Sequence, residues 1–110
     1  MEIEVKMLAF MEGEIRTVTI PDDEWQSACE VDAANRSGIP DAALEKIYHY
    51  GQNDFQPVHA RASVSMGDVA IVDGKRFRVE SVGFSAMNAA DMEGYLDTPQ
   101  RDRYFWKKGN

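Results

Sequence analysis

This chain of 110 residues holds little of what covalent or metal chemistry needs. Its one cysteine, Cys29, excludes an internal disulfide. A cytoplasmic, reducing setting is expected. Its two histidines, His49 and His59, match no zinc-binding spacing with that cysteine. The glycines Gly67, Gly74 and Gly83 do not fall in a phosphate-binding pattern ahead of a helix, and they read as turn residues. No apolar run approaches the roughly 20 residues that span a bilayer. The opening MEIEVKMLAF is interrupted by acids and does not read as a signal peptide. Bases are scarce, 12 against 19 acids.

What is present suits an ordinary globular protein. Hydrophobic residues make up 44% and charged residues 28%, which excludes a disordered composition. One domain over residues 1–110 is expected, burying roughly two-thirds of its unfolded surface. The net charge of −7 is unevenly placed. Residues 1–60 hold twelve acids and four bases, whereas residues 61–110 hold seven acids and eight bases. An acidic field repels phosphate backbones and attracts basic surfaces, which argues against direct nucleic-acid binding by the first half.

Residues 1–20 read as an acidic hairpin. Ile3, Val5 and Met7 alternate with Glu2, Glu4 and Lys6, the period of a half-buried strand over Ile3–Phe10. Glu12-Gly13 turns the chain, and Ile15–Ile20, rich in β-branched residues, returns it. Residues 21–51 read as two helices. Pro21-Asp22-Asp23-Glu24 opens the first, with acids beside the exposed N–H groups of its first turn. Trp25, Ala28, Cys29 and Ala33 form its apolar stripe, and Gly38 stops it. Pro40-Asp41 opens the second helix, with an apolar face of Ala43, Leu44, Ile47 and Tyr48 that ends at Gly51.

After a loop over Gln52–Ala62, residues 63–84 read as a second hairpin. The apolar run Val69–Val72 suits a strand buried on both faces. Asp73-Gly74 is a two-residue turn whose central positions need positive φ. Lys75–Val82 returns, with Phe77 and Val79 on one side and a solvated row of Arg76, Arg78 and Glu80 on the other. Ser85–Asp91 reads as a short helical turn. Residues 91–110 read as a tail carrying Tyr104, Phe105 and Trp106 between basic residues. The expected fold is α+β: an antiparallel sheet of four to five strands, built from two hairpins, with two helices on one face.

Tyr50-Gly51-Gln52-Asn53 with Phe55-Gln56, Ser63-Val64-Ser65-Met66-Gly67-Asp68-Val69, Asp73-Gly74-Lys75 and Val82-Gly83-Phe84 together resemble a known pattern. It is that of small uncharacterised proteins encoded on conjugative plasmids, integrative elements and phages of proteobacteria. The resemblance covers roughly residues 44–84. It implies a mobile genetic element as context and assigns no activity and no catalytic residue.

No residue reads as catalytic, and no metal or cofactor is expected. Cys29 lies mid-helix among acids, which suits a packed thiol rather than a nucleophile. His49 reads as an exposed helix-end residue. Asp22-Asp23-Glu24 are accounted for by the helix start. Three surfaces remain. Glu2, Glu4, Glu12 and Glu14, joined by Asp22, Asp23 and Glu24, read either as a solvated face or as a phosphate-like surface for a basic protein groove. Tyr50, Asn53 and Phe55 read either as a protein-binding hot spot or as core. Tyr104, Phe105 and Trp106 read as docking back onto the body or pairing with a second copy.

The expected function is that of a small acidic non-enzymatic binding protein. It would inhibit a host defence or regulatory complex, as anti-CRISPR and antirestriction proteins do, with nucleic-acid mimicry as one means. The partner expected is a protein with a basic surface, with neither direct nucleic-acid nor membrane binding. Two alternatives stay open. One is a ligand-binding or enzymatic module sited near Tyr50–Phe55, Asp68 and Arg78. The other is an assembly subunit that forms a homodimer through its tail.

Overall fold

The computed structural model of the chain describes residues 1–9, 13–31, 39–52, 63–80 and 83–106. Among them the strands are β1 (Glu2–Met7), β2 (Glu14–Thr19), β3 (Val69–Val72), β4 (Lys75–Val79) and β5 (Phe84–Met87). The helices are α1 (Asp22–Val31), α2 (Asp41–Tyr50) and α3 (Ala89–Asp97), followed by a 3-10 turn over Gln100–Phe105. The fold is α+β, with one antiparallel sheet in the order β2-β1-β3-β4-β5.

Alternation in β1 sets the sheet's two faces. Ile3, Val5 and Met7 are buried, whereas Glu2 and Glu4 are exposed. The register places Ile3 opposite Val18, and Val5 opposite both Arg16 and Ala70. The two hairpins therefore join through β1 and β3. Between β3 and β4 the chain reverses at Asp73 and Gly74, with φ of 50° and 76°. Both central residues lie in the left-handed region, as a two-residue hairpin turn of matching twist requires.

The main core lies on the face that carries Ile3, Val5, Val18, Ala70, Val72, Phe77 and Val79. Ala28 of α1 and Ala43, Leu44 and Ile47 of α2 close over it, with Trp25 and Cys29 at its margin. Each fully buried Ile, Leu or Phe stabilises by about 1.5–3 kcal/mol relative to exposure. The two expected helices thus occupy one face.

The other face holds a second, smaller core that the sequence reading lacked. Val69 and Met87 meet Leu8, and Met92 and Tyr95 of α3 cover them, with Trp106 packed alongside. Ser85–Asp91 is not a helical turn, because Phe84–Met87 pairs with β4 as the fifth strand. A helix begins only at Ala89, where Asn88 and Asp91 exchange side-chain to backbone hydrogen bonds at 2.8 and 3.0 Å, a full capping box. The tail expected over residues 91–110 is, in its described part, a helix and a 3-10 turn whose Met92, Tyr95 and Trp106 cover the reverse face of the sheet. β4 ends at Val79, short of the expected Val82. Phe10 and the stretch after Val31, with Ala33 and Gly38, lie outside the described residues. Among the described residues, no helix is long and apolar enough to cross a membrane.

Candidate protein-binding surfaces

The acids of the first half do not form one surface. Glu2 and Glu4 share the reverse face of the sheet with Thr17 and Thr19, opposite which they lie in register. All four are exposed. Glu14 pairs with Met7 and shares the parity of Arg16 and Val18, so it sits on the helical side of β2. α1 also packs on that side and carries Asp23 and Glu24 with it, whereas Asp22 at its start reaches the N-terminal ammonium next to Glu2. Glu12 lies outside the described residues. Part of the charge is also met locally. Asp22 pairs with the N-terminal ammonium of Met1, which also donates to the Ile20 carbonyl at 2.8 Å.

Glu24 sits in a network of its own. It accepts hydrogen bonds from the Tyr50 hydroxyl and from Lys46 Nζ, the latter at 3.1 Å. The Tyr50 hydrogen bond, followed by that of Lys46, holds the Glu24 carboxyl below its usual range. The same bond, with burial, raises the Tyr50 hydroxyl. Tyr50 therefore ties α2 to α1, and the two positions linked with it, Asn53 and Phe55, lie outside the described residues.

Asp68 and Arg78, set beside Tyr50 as an alternative site, are neighbours along the backbone, since the Asp68 carbonyl accepts from Val79 N at 2.9 Å, but their side chains have different partners. Asp68 is fully buried in the turn before β3, where one carboxylate oxygen accepts from Ala9 N at 2.9 Å and the other from Ser65 N at 2.8 Å. Burial raises its carboxyl above the ordinary range, against the pull of backbone N–H groups of Ala9, Ser65 and Leu8 and of the Arg16 charge. Arg16, itself buried, donates to the Gly51 carbonyl. Burial lowers its pKa, and Asp68 opposes that shift. Asp68 thus pins the end of β1 to the turn that starts β3.

Arg78 is not on a solvated face. It is only 4% exposed, because β4 presents it to the second core. Its guanidinium lies 5.0 Å from the Tyr95 ring centre and 5.4 Å from that of Trp106. Nη1 donates to both oxygens of Glu80 at 2.9 and 3.0 Å, and Nη2 donates to the Arg103 carbonyl at 3.1 Å. The Arg103 side chain in turn reaches the Thr98, Leu8 and Leu96 carbonyls at 3.0, 3.1 and 3.4 Å. Two arginines therefore bind the last described segment to the sheet. Trp106 packs at 5.2 Å on Tyr95 within its own chain. The Tyr104 and Phe105 side chains lie outside what is described.

A feature absent from the sequence reading is a groove of about 720 Å³ between α2 and the start of β5. Its described lining is Glu45, Tyr48, His49, Gln52, Met66, Val79, Glu80, Gly83 and Phe84. Tyr48 was expected on the apolar face of its helix, yet it is 46% exposed and turns toward this groove. Ala43, Leu44 and Ile47 already fill the inward stripe, so a ring one position further round faces out. His49 is exposed, as expected, and meets Tyr50 edge-on at 5.0 Å. The signal for this groove was thin: an aromatic, a histidine and an acid on one helix, with no hint of the strand end that faces them.

The described residues contain no group of three or more His, Cys, Asp or Glu placed to hold a metal. No model of a known protein family matches the chain, and neither curated proteins nor solved structures give a match.

Proposed function

We propose that this protein is a small acidic, non-enzymatic binding protein that inhibits a host defence or regulatory complex by occupying a basic protein surface. The observation that carries this reading is the surface placement of the first half's charge. Glu2, Glu4, Glu14, Asp22, Asp23, Glu30, Asp41 and Glu45 are all exposed. A negative surface speeds encounter with a basic one and disfavours acidic competitors. The host context comes from the resemblance to mobile-element proteins. Because the acids lie on two sides of the sheet, the reading narrows from one continuous phosphate-like face to separate acidic patches.

Affinity capture of the tagged full chain from bacterial lysate, followed by mass spectrometry, tests it. A stoichiometric partner with a basic surface, released by salt, is the expected result. No partner at low salt, or retention unchanged after charge reversal at Glu2, Glu4, Glu14 and Asp23 together, refutes it. A second reading, a small ligand-binding module, draws on the groove, whose volume falls within the roughly 300–1,000 Å³ of small-molecule sites.

A further inference from the structure

We propose that the groove between α2 and β5 is the docking point for an arginine-bearing segment of the partner protein. This rests on the reading above and names the chemistry of one contact within it.

Apolar and acidic walls meet here. Met66, Val79, Tyr48 and Phe84 supply apolar and aromatic surface, and Glu45 and Glu80 supply carboxylates. A smaller recess of about 260 Å³ adjoins it, sharing Glu45, Gly83 and Phe84 and adding Asp41. Asp41 and Glu45 stand at i and i+4 on α2, on the same side of that helix. No Lys or Arg occurs among the described lining residues. Lys46, the one basic residue of α2 apart from His49, is turned to Glu24 on the α1 side. Glu80 is already met by Arg78 from within, so Glu45 is the groove's principal carboxylate for a ligand.

Arginine suits these walls better than lysine. Its planar head stacks on aromatic faces such as Tyr48 and Phe84 while its fork meets a carboxylate, and its stem covers apolar surface. The volume exceeds one side chain, which leaves room for an apolar neighbour against Met66 and Val79.

The probe is an end-blocked pentapeptide, acetyl-Ala-Leu-Arg-Leu-Ala-amide, titrated into the isotope-labelled full chain and read by amide chemical shifts. Saturable shifts at Gln52, Gly83 and Phe84, with none at Glu2, Glu4 or Thr17, are expected at millimolar peptide. Replacing the arginine by citrulline, which keeps the shape and loses the charge, should weaken binding about fivefold to tenfold. Glu45→Gln and Tyr48→Ala each change an exposed side chain, and each should weaken binding by a similar factor with the remaining spectrum unchanged.

Absence of saturable shifts at the groove overturns the proposal. So does equal binding of the citrulline peptide, or undiminished binding to both variants. The two readings fail separately. A partner captured equally well by Glu45→Gln and Tyr48→Ala sinks the groove and leaves the binding protein. Peptide binding without any captured partner does the reverse.

Discussion

Tyr95→Phe is the most informative single change in the second core. Tyr95 is fully buried, and its hydroxyl donates to the Gly67 carbonyl. Gly67 holds φ of +99° in the turn before β3, and its own N–H is spent on the Val79 carbonyl at 2.8 Å. The substitution deletes one oxygen and keeps the ring, so the ring's contacts with Trp106 and the two arginines persist. What changes is a buried carbonyl that loses its donor, together with the contact between the hydroxyl and the buried Arg78 guanidinium. Such a loss costs about 1–3 kcal/mol, and a value near 2 kcal/mol is expected where the ring still excludes water. At roughly 2.1 cal/mol/K of unfolding entropy per residue, that lowers Tm by about 5–10 °C for this chain. Urea unfolding followed by far-UV circular dichroism should show a lower midpoint with an unchanged slope. Tyr95→Ala should cost more, about 3–5 kcal/mol, because it removes the ring as well. If Tyr95→Phe stays within about 0.5 kcal/mol of the parent, the hydroxyl does not lock the turn and the reasoning fails.

Two further outcomes follow from the same geometry. Both oxygens of Asp68 accept backbone N–H groups, so Asp68→Asn turns an amide NH₂ against a donor and should cost about 1–3 kcal/mol near neutral pH. Its folded pKa is raised, so the folded state binds the proton more tightly, and the Asp68 contribution falls as pH rises from the ordinary carboxylate range through the folded value. Subtracting the Asp68→Asn stability curve from the parent's should expose that negative slope, and a flat difference would refute it. Gly51→Ala should destabilise by about 1–3 kcal/mol in thermal melts, since its Cβ would collide with Val64 Cγ2 and lie 2.7 Å from the Ile47 carbonyl. Gly94→Ala, in α3 with its nearest atom at 3.7 Å, is the contrast and should stabilise by about 0.5–1 kcal/mol.

Those elements whose pattern is local were legible in the sequence. Alternation marked β1, β-branched residues marked β2, a continuous apolar run marked β3, and Asp73-Gly74 marked the turn that follows it. α2 was bounded by Pro40 and Gly51 and behaves so. What was not legible depends on partners distant in the chain. Phe84–Met87 carries no strand period of its own and becomes a strand because β4 offers an unpaired edge. Arg78 alternates as a solvent-facing residue should, yet Tyr95 and Trp106 arrive from later in the chain to cover it. No reading of β4 alone reveals that. The candidate acids were legible as residues but not as a surface, because their grouping turns on parity. Glu2 and Glu4 fall on one face of the sheet, and Glu14 and α1 fall on the other.

Arg78 also links the two functional questions. Its Nη1 satisfies Glu80 at the edge of the groove, and its Nη2 holds the Arg103 carbonyl of the last described segment. A guanidinium buried this deeply must keep its acceptors, because stripping them leaves a charge away from water. The docked segment and the groove's charge are therefore set by the same side chain. With Arg78 in place, Glu80 is screened from within and Glu45 dominates what a ligand meets. In the proposed docking the groove therefore offers Glu45 to one cation rather than a broad field to any basic surface. That separates it from the broader acidic patches, whose charge acts at longer range and is screened by salt.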